Sequence, residues 1–163
     1  MKRTFLTGCL LIGLGGGAIA GGNHAGGHSH GEAGMMAIGR PGDPAQVTRT
    51  VKVVMKEKED GRMVFEPTTI AVREGETLRL QLVNAGELDH EFVMDVQDSI
   101  NEHKVLMERF PEMEHDDPNA IRLGPGESGE IIWTFANAGE FGFACLIPGH
   151  YDAGMKGHIR VRH

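Results

Sequence analysis

The sequence predicts an all-β protein, a sandwich of seven or eight short antiparallel strands with one short helical insertion. Three observations predict it. From Val47 onward, apolar and polar residues alternate with period two in stretch after stretch, the pattern of strands with one buried face. These stretches are short and are separated by turn formers: Asp60-Gly61, Glu74-Gly75, Asn84-Ala-Gly86 and Gly124-Pro-Gly126. Frequent short strands with regular turn signals belong to small β-sandwiches. The segment from Ile100 to Phe110 departs from the alternation and repeats its apolar residues at helical spacing.

Val47, Arg49, Val51, Val53 and Met55 share one side of a first strand, with Thr48, Thr50 and Lys52 opposite. Phe65 to Val72 forms a second strand region, in which Pro67 lacks a backbone donor and marks an edge or bend. Thr77-Leu-Arg-Leu-Gln-Leu-Val83 alternates cleanly. The chain resumes as a strand from His90 to Val96 after the break at Asn84-Ala-Gly86. Ser99-Ile-Asn-Glu102 matches a capping box, and Ile100, His103, Leu106, Met107 and Phe110 then recur along one helical face up to Pro111. The insertion spans about residues 98–118 and ends in a polar, acidic loop around Glu112 to Pro118. Ile131, Trp133 and Phe135 share a face of the next strand. Gly139 to Cys145 and Gly157 to Arg162 supply two more.

The first twenty residues read as a secretory signal peptide: a basic start at Lys2-Arg3, an apolar run from Phe5 to Leu14, and the small-residue site Ala18-Ile19-Ala20. That run is too short for a membrane span, and a periplasmic location follows as the expectation. Residues 21–46 read as a flexible Gly-, His- and Met-bearing tail, and residues 47–163 as the folded domain.

The chain carries 16 basic and 23 acidic residues, a formal charge of −7. Loss of Lys2 and Arg3 with a signal peptide makes the balance more acidic still. Such a surface argues against nucleic acid and against stable insertion in anionic membranes. Of two cysteines, Cys9 lies in the leader and Cys145 is left alone. An unpaired thiol in an exported protein needs a reason, and metal coordination is one.

Cys145-Leu-Ile-Pro-Gly-His150-Tyr-Asp-Ala-Gly-Met155 places a thiol, an imidazole and a thioether in one loop between two strands. His90 stands at the head of an upstream strand. Two His, one Cys and a weak Met form the donor set of a blue-copper-type centre. The alternative for a lone buried cysteine is simple packing, which leaves the Cys-x4-His-x4-Met loop without a purpose.

In these residues the chain resembles the cupredoxins of the plastocyanin/azurin superfamily. Asn84-Ala-Gly-Glu-Leu-Asp-His90-Glu-Phe and Phe143-Ala-Cys145-Leu-Ile-Pro-Gly-His150 with Met155 carry the resemblance, which runs from about Val47 to the end. It implies a Greek-key sandwich with a type 1 copper near one end, His90, Cys145 and His150 as equatorial ligands, and Met155 as the axial one. It also implies that the Asp89 carbonyl approaches the other axial side and that the Glu91 N–H donates to the Cys145 sulfur. Pro148 adds no such donor. A narrower resemblance is to periplasmic copper-tolerance cupredoxins of the CopI type, carried by the leader, the tail and the insertion.

Further copper donors are His24, His28, His30, Met35 and Met36 in the tail and His103, Met107, Met113 and His115 in the insertion, since imidazole suits Cu(II) and thioether Cu(I). Each also has a plain reading, as a solvated tail residue or as core packing. The resulting expectation is a non-enzymatic copper protein acting in copper tolerance, with electron transfer as the alternative. Its partners would be the copper ion and a redox or copper-handling protein.

Overall fold

The computed structural model describes residues 35–111 and 117–163. Ten strands form two packed five-stranded sheets. The strands are β1 (Arg40–Pro41), β2 (Arg49–Glu57), β3 (Met63–Glu66), β4 (Thr69–Arg73), β5 (Thr77–Asn84), β6 (His90–Asp95), β7 (Ala120–Leu123), β8 (Ser128–Thr134), β9 (Gly139–Ala144) and β10 (Lys156–Arg162). One sheet runs β1-β8-β5-β2-β3 and the other β4-β10-β9-β6-β7.

The alternating sequences bury one face each. Val53 and Met55 of β2, Leu78, Leu80 and Leu82 of β5, Ile131 and Trp133 of β8, and Ile159 and Val161 of β10 all enter one core. Their neighbours of the other parity face solvent or the sheet rim. Phe65 of β3 ties the two sheets together. Its ring meets Phe92 and Phe143 edge-on at centroid distances of 5.8 and 5.1 Å, while those two stack on each other at 5.2 Å. Such pairs add about 0.5–1.5 kcal/mol each beyond their buried area. They also hold the strands that carry His90 and Cys145 at a set distance from the opposite sheet.

Strand β6 is buried on both faces. Phe92 and Met94 belong to the main core. Val93 faces outward and is covered by the helix α1 (Gln97–Arg109), where Ile100 and Met107 pack with Val93, Ala144 and Leu146. Gly142 of β9 makes this docking possible: a Cβ there would lie 2.8 Å from the Ile100 side chain.

Four details differ from the sequence reading. The sandwich is mixed rather than wholly antiparallel, because β2 pairs parallel with β5 and β4 with β10. The Phe65–Val72 region is two strands in different sheets, parted at Pro67. The strands β1 and β7 are too short to show an alternation. The helix starts at Gln97 with Val96 as its N-cap and no side-chain cap, so the Ser99–Glu102 box lies inside it; Asp98 in the first turn and Arg109 in the last complement its dipole.

Part of the stretch expected to be tail, residues 35–46, belongs to the fold. Ile38 is wholly buried, Trp133 Nε1 donates to its carbonyl at 3.4 Å, and β1 pairs with β8. A Gly-rich composition hid one anchoring side chain. Residues 1–34, with the expected leader and most of the tail, lie outside the described residues. No helix among the described residues is long and apolar enough to cross a membrane. Ile38→Ala should cost about 2–5 kcal/mol in chemical denaturation, as for other buried isoleucines. Val105→Ala, at a half-exposed helical site, should stay within about 0.5 kcal/mol.

Candidate metal centre

The ends of β2, β5, β7 and β9 and the beginnings of β6, β8 and β10 meet at one edge of the sandwich. His90 opens β6, and Cys145 follows β9 directly. The chain then turns through 146–155 and re-enters the sheet as β10. The turn is closed by its own backbone: His150 N–H donates to the Ile147 carbonyl at 3.0 Å, Met155 N–H to the His150 carbonyl at 3.0 Å, and Cys145 N–H to the Met155 carbonyl at 3.1 Å. These bonds bring three loop residues that sequence spacing alone leaves apart to one place.

His90, Cys145 and His150 converge, with one donor atom from each lying within 4.8 Å of the others. His90 Nδ1 is 3.3 Å from His150 Nδ1, and the Cys145 sulfur is 3.4 Å from His150 Nδ1. Such separations suit donors about 2.0–2.3 Å from a shared ion. His90 and Cys145 are fully buried, and His150 keeps 8% of its surface exposed. Met155, five residues beyond His150, is fully buried in the main core.

The electrostatics suit a cation. Burial pushes the Cys145 thiol up to about 12, although the N–H groups of Glu91 and Ile147 oppose this. A bound metal is what turns such a thiol into a thiolate. Burial pushes both imidazoles below the ordinary histidine value; the Glu57 carboxylate opposes this at His90, while His90 itself adds to it at His150. Neutral imidazole is the ligating form.

The surroundings hold the donors in place. The Glu91 N–H donates to the Cys145 sulfur at 3.3 Å, the contact that the family resemblance implied. Asn84, fully buried, reaches the carbonyls of Leu88 and Leu123 at 2.7 and 2.9 Å and accepts from Gly86 N–H at 2.9 Å. It thereby fixes the loop leading into His90. Helix α1 braces the segment after His150. Gln97 Nε2 donates to the Tyr151 hydroxyl at 3.3 Å, Lys104 pairs with Asp152 at 3.2 Å, and Lys156 sits 4.3 Å over the Tyr151 ring.

Sequence reading missed Asn84 and Glu57 as parts of this surround. The turn signal at 84–86 pointed to a loop and not to a buried amide, and Glu57 lies far away along the chain. Of the further copper donors, Met107 is buried among Val93, Ile100 and Leu146, so its thioether serves packing. His103 is half-buried on the same helix and does not join the three-residue cluster. Met36 is half-buried against the main core and Met35 is exposed. His24, His28, His30, Met113 and His115 lie outside the described residues.

Two packed β-sheets with a buried His–Cys–His set at one edge define a cupredoxin, a small copper-binding sandwich. The chain belongs to the plastocyanin/azurin family of copper-binding proteins, whose pattern matches residues 51–162. It is 49% identical over 139 residues to the copper-resistant cuproprotein CopI of Rubrivivax gelatinosus, covering 85% of this chain and 81% of that one. It is 35% identical to the copper-resistant cuproprotein CopI of Pseudomonas aeruginosa, covering 82% and 85% respectively. The fold is that of auracyanin B, with a TM-score of 0.61 at 24% identity over 77% of this chain and 96% of that structure.

The pKa shifts set the pH behaviour of the metal-free protein. Below the ordinary histidine value of 6.5, the unfolded chain binds protons that the native imidazoles resist. Stability is therefore present above 6.5 and lost as pH falls from there through the depressed native values. The thiol acts at the other end. Its raised pKa contributes stability that is full below 9.0 and lost as pH rises toward about 12. Denaturation midpoints of metal-free protein should fall on both sides, and His150→Asn should flatten the acid limb.

Proposed function

We propose that this cupredoxin protects a periplasm against excess copper by binding the ion and handing it on. The observation that carries this reading is the buried convergence of His90, Cys145 and His150, in a chain nearly half identical to a copper-resistant cuproprotein over most of its length. Met155 would join His90, Cys145 and His150 in holding the ion. Copper held there would supply a one-electron couple and a bond to thiolate sulfur.

The chain's own residues do the rest. The two imidazoles are held neutral and ready to donate. The Cys145 proton leaves as the thiolate forms, so uptake releases protons and weakens in acid. The closed 145–155 turn keeps the donors together and reduces the ordering needed on binding. Histidines 24, 28 and 30 and Met35 would raise the local chance of capture.

One observation favours a second reading, electron transfer to a redox partner. His150 is the donor residue with an edge at the surface, and it provides a short path for an electron. Retained copper tolerance in a gene deletion, together with fast exchange between the purified protein and a cytochrome, would favour that reading.

The test pairs copper per chain and the visible spectrum with growth. Wild-type protein should bind copper with intense visible charge-transfer bands, and Cys145→Ser should lose them. Copper kept by that variant without those bands would sit on the two remaining imidazoles or on the tail and insertion. A deletion strain should grow worse in high copper and recover with wild type but not with Cys145→Ser. Unchanged growth of the deletion strain would sink the protective role.

A further inference from the structure

Glu57 ends β2, in the sheet opposite His90. Its Oε1 lies 3.0 Å from His90 Nε2. The approach is short, but Nε2 makes no hydrogen bond of good geometry among the described residues, so the contact is electrostatic first. The other ring nitrogen, Nδ1, faces the donor cluster. His90 is fully buried, and without this carboxylate its Nε2 would be an orphaned polar atom in the core, a costly state.

The carboxylate is itself held in a built cradle. The N–H groups of Glu87 and Leu88 donate to Oε2 and Oε1 at 3.0 Å each. Gly86 leaves room for it, since a Cβ there would come within 2.2 Å of Oε2. Asn84 pins the same loop from inside. Burial raises the Glu57 carboxyl, but the surrounding N–H groups and His90 outweigh this and hold it below the usual range. A charged oxygen is thus aimed at the outer edge of a copper donor residue.

We propose that Glu57 is a positioning and tuning residue of the copper centre: it holds His90 with its proton on Nε2 and Nδ1 free for the metal, and its charge favours Cu(II) over Cu(I). The inference rests on the copper-binding reading above and deepens it. An acceptor on the outer nitrogen fixes the ring and raises its basicity. A nearby negative charge stabilises the more highly charged ion, and it does so more strongly at a buried site than in water. The outcome is a lower reduction potential and firmer retention of Cu(II), which suits holding the ion more than passing electrons at high potential.

The test compares Glu57→Gln with wild type and with Glu66→Gln, which removes a carboxylate paired with Lys56 at 2.8 Å on the neighbouring strand. Glutamine keeps an acceptor for one of the two loop N–H groups, sets an amide NH2 against the other, and removes the charge. Glu57→Gln should still take up copper, with Cu(II) affinity reduced about 10- to 100-fold and Cu(I) affinity reduced less. Its reduction potential should therefore rise, by about 59 mV for each tenfold difference between the two losses. Glu66→Gln should leave both affinities and the potential unchanged. Gly86→Ala should raise the potential in the same direction by displacing the carboxylate.

A readout independent of copper comes from nitrogen-15 NMR of the metal-free wild-type protein, where His90 should carry its proton on Nε2. That measurement stands even if a variant fails to fold. A wild-type His90 protonated on Nδ1, or a Glu57→Gln protein with an unchanged potential and Cu(II) affinity within about twofold, would overturn the role of Glu57. Wild-type protein that takes up no copper would instead overturn the function on which it rests.

Discussion

Inside the sandwich edge, Cys145, His90 and His150 bring one donor atom each together, with His150 Nδ1 3.3 Å from His90 Nδ1 and 3.4 Å from the Cys145 sulfur. His90 and Cys145 are removed from water, and His150 keeps only an edge exposed. Buried polar groups normally find complementary partners, and these three are complementary to a cation. The rest of the site answers that need: the pKa shifts, the N–H groups aimed at sulfur and the tight turn from 145 to 155.

The donors stay in place because both sheets and the inserted helix hold them. The Phe65, Phe92 and Phe143 cluster sets the sheet spacing just beneath His90 and Cys145. Asn84 and Glu57 hold the loop into β6 from two directions. Helix α1 lies over the outer face of β6 and β9 and reaches the ligand loop through Tyr151 and Asp152. Three separate pieces of chain thus constrain one ion-sized space, and binding requires little rearrangement. Preorganisation of this kind lowers the ordering cost of binding.

Much of this was legible before any coordinates. The alternation in Leu78-Arg-Leu-Gln-Leu82 names its buried face, because period-two patterning is a local record of burial. The Cys145–His150–Met155 loop names its metal class, because soft and borderline donors at short spacing have few other uses. The parallel pairing of β2 with β5, the split at Pro67 and the anchoring role of Ile38 were not legible. Each depends on which distant strand lies alongside, and a single stretch of sequence does not encode its neighbour. Met107 illustrates the same limit. A thioether at helical spacing reads equally as donor or as packing, and only its position over Val93 and Leu146 decides for packing.

The sequence by itself determined the strand content, the inserted helix, the lone cysteine and the donor types, because these follow from local patterning and side-chain chemistry. The tertiary structure alone decided that His90 comes within reach of His150 from sixty residues away, and that Glu57, across the sandwich, faces its outer nitrogen. Those distances are set by packing between two sheets, which depends on the whole fold at once.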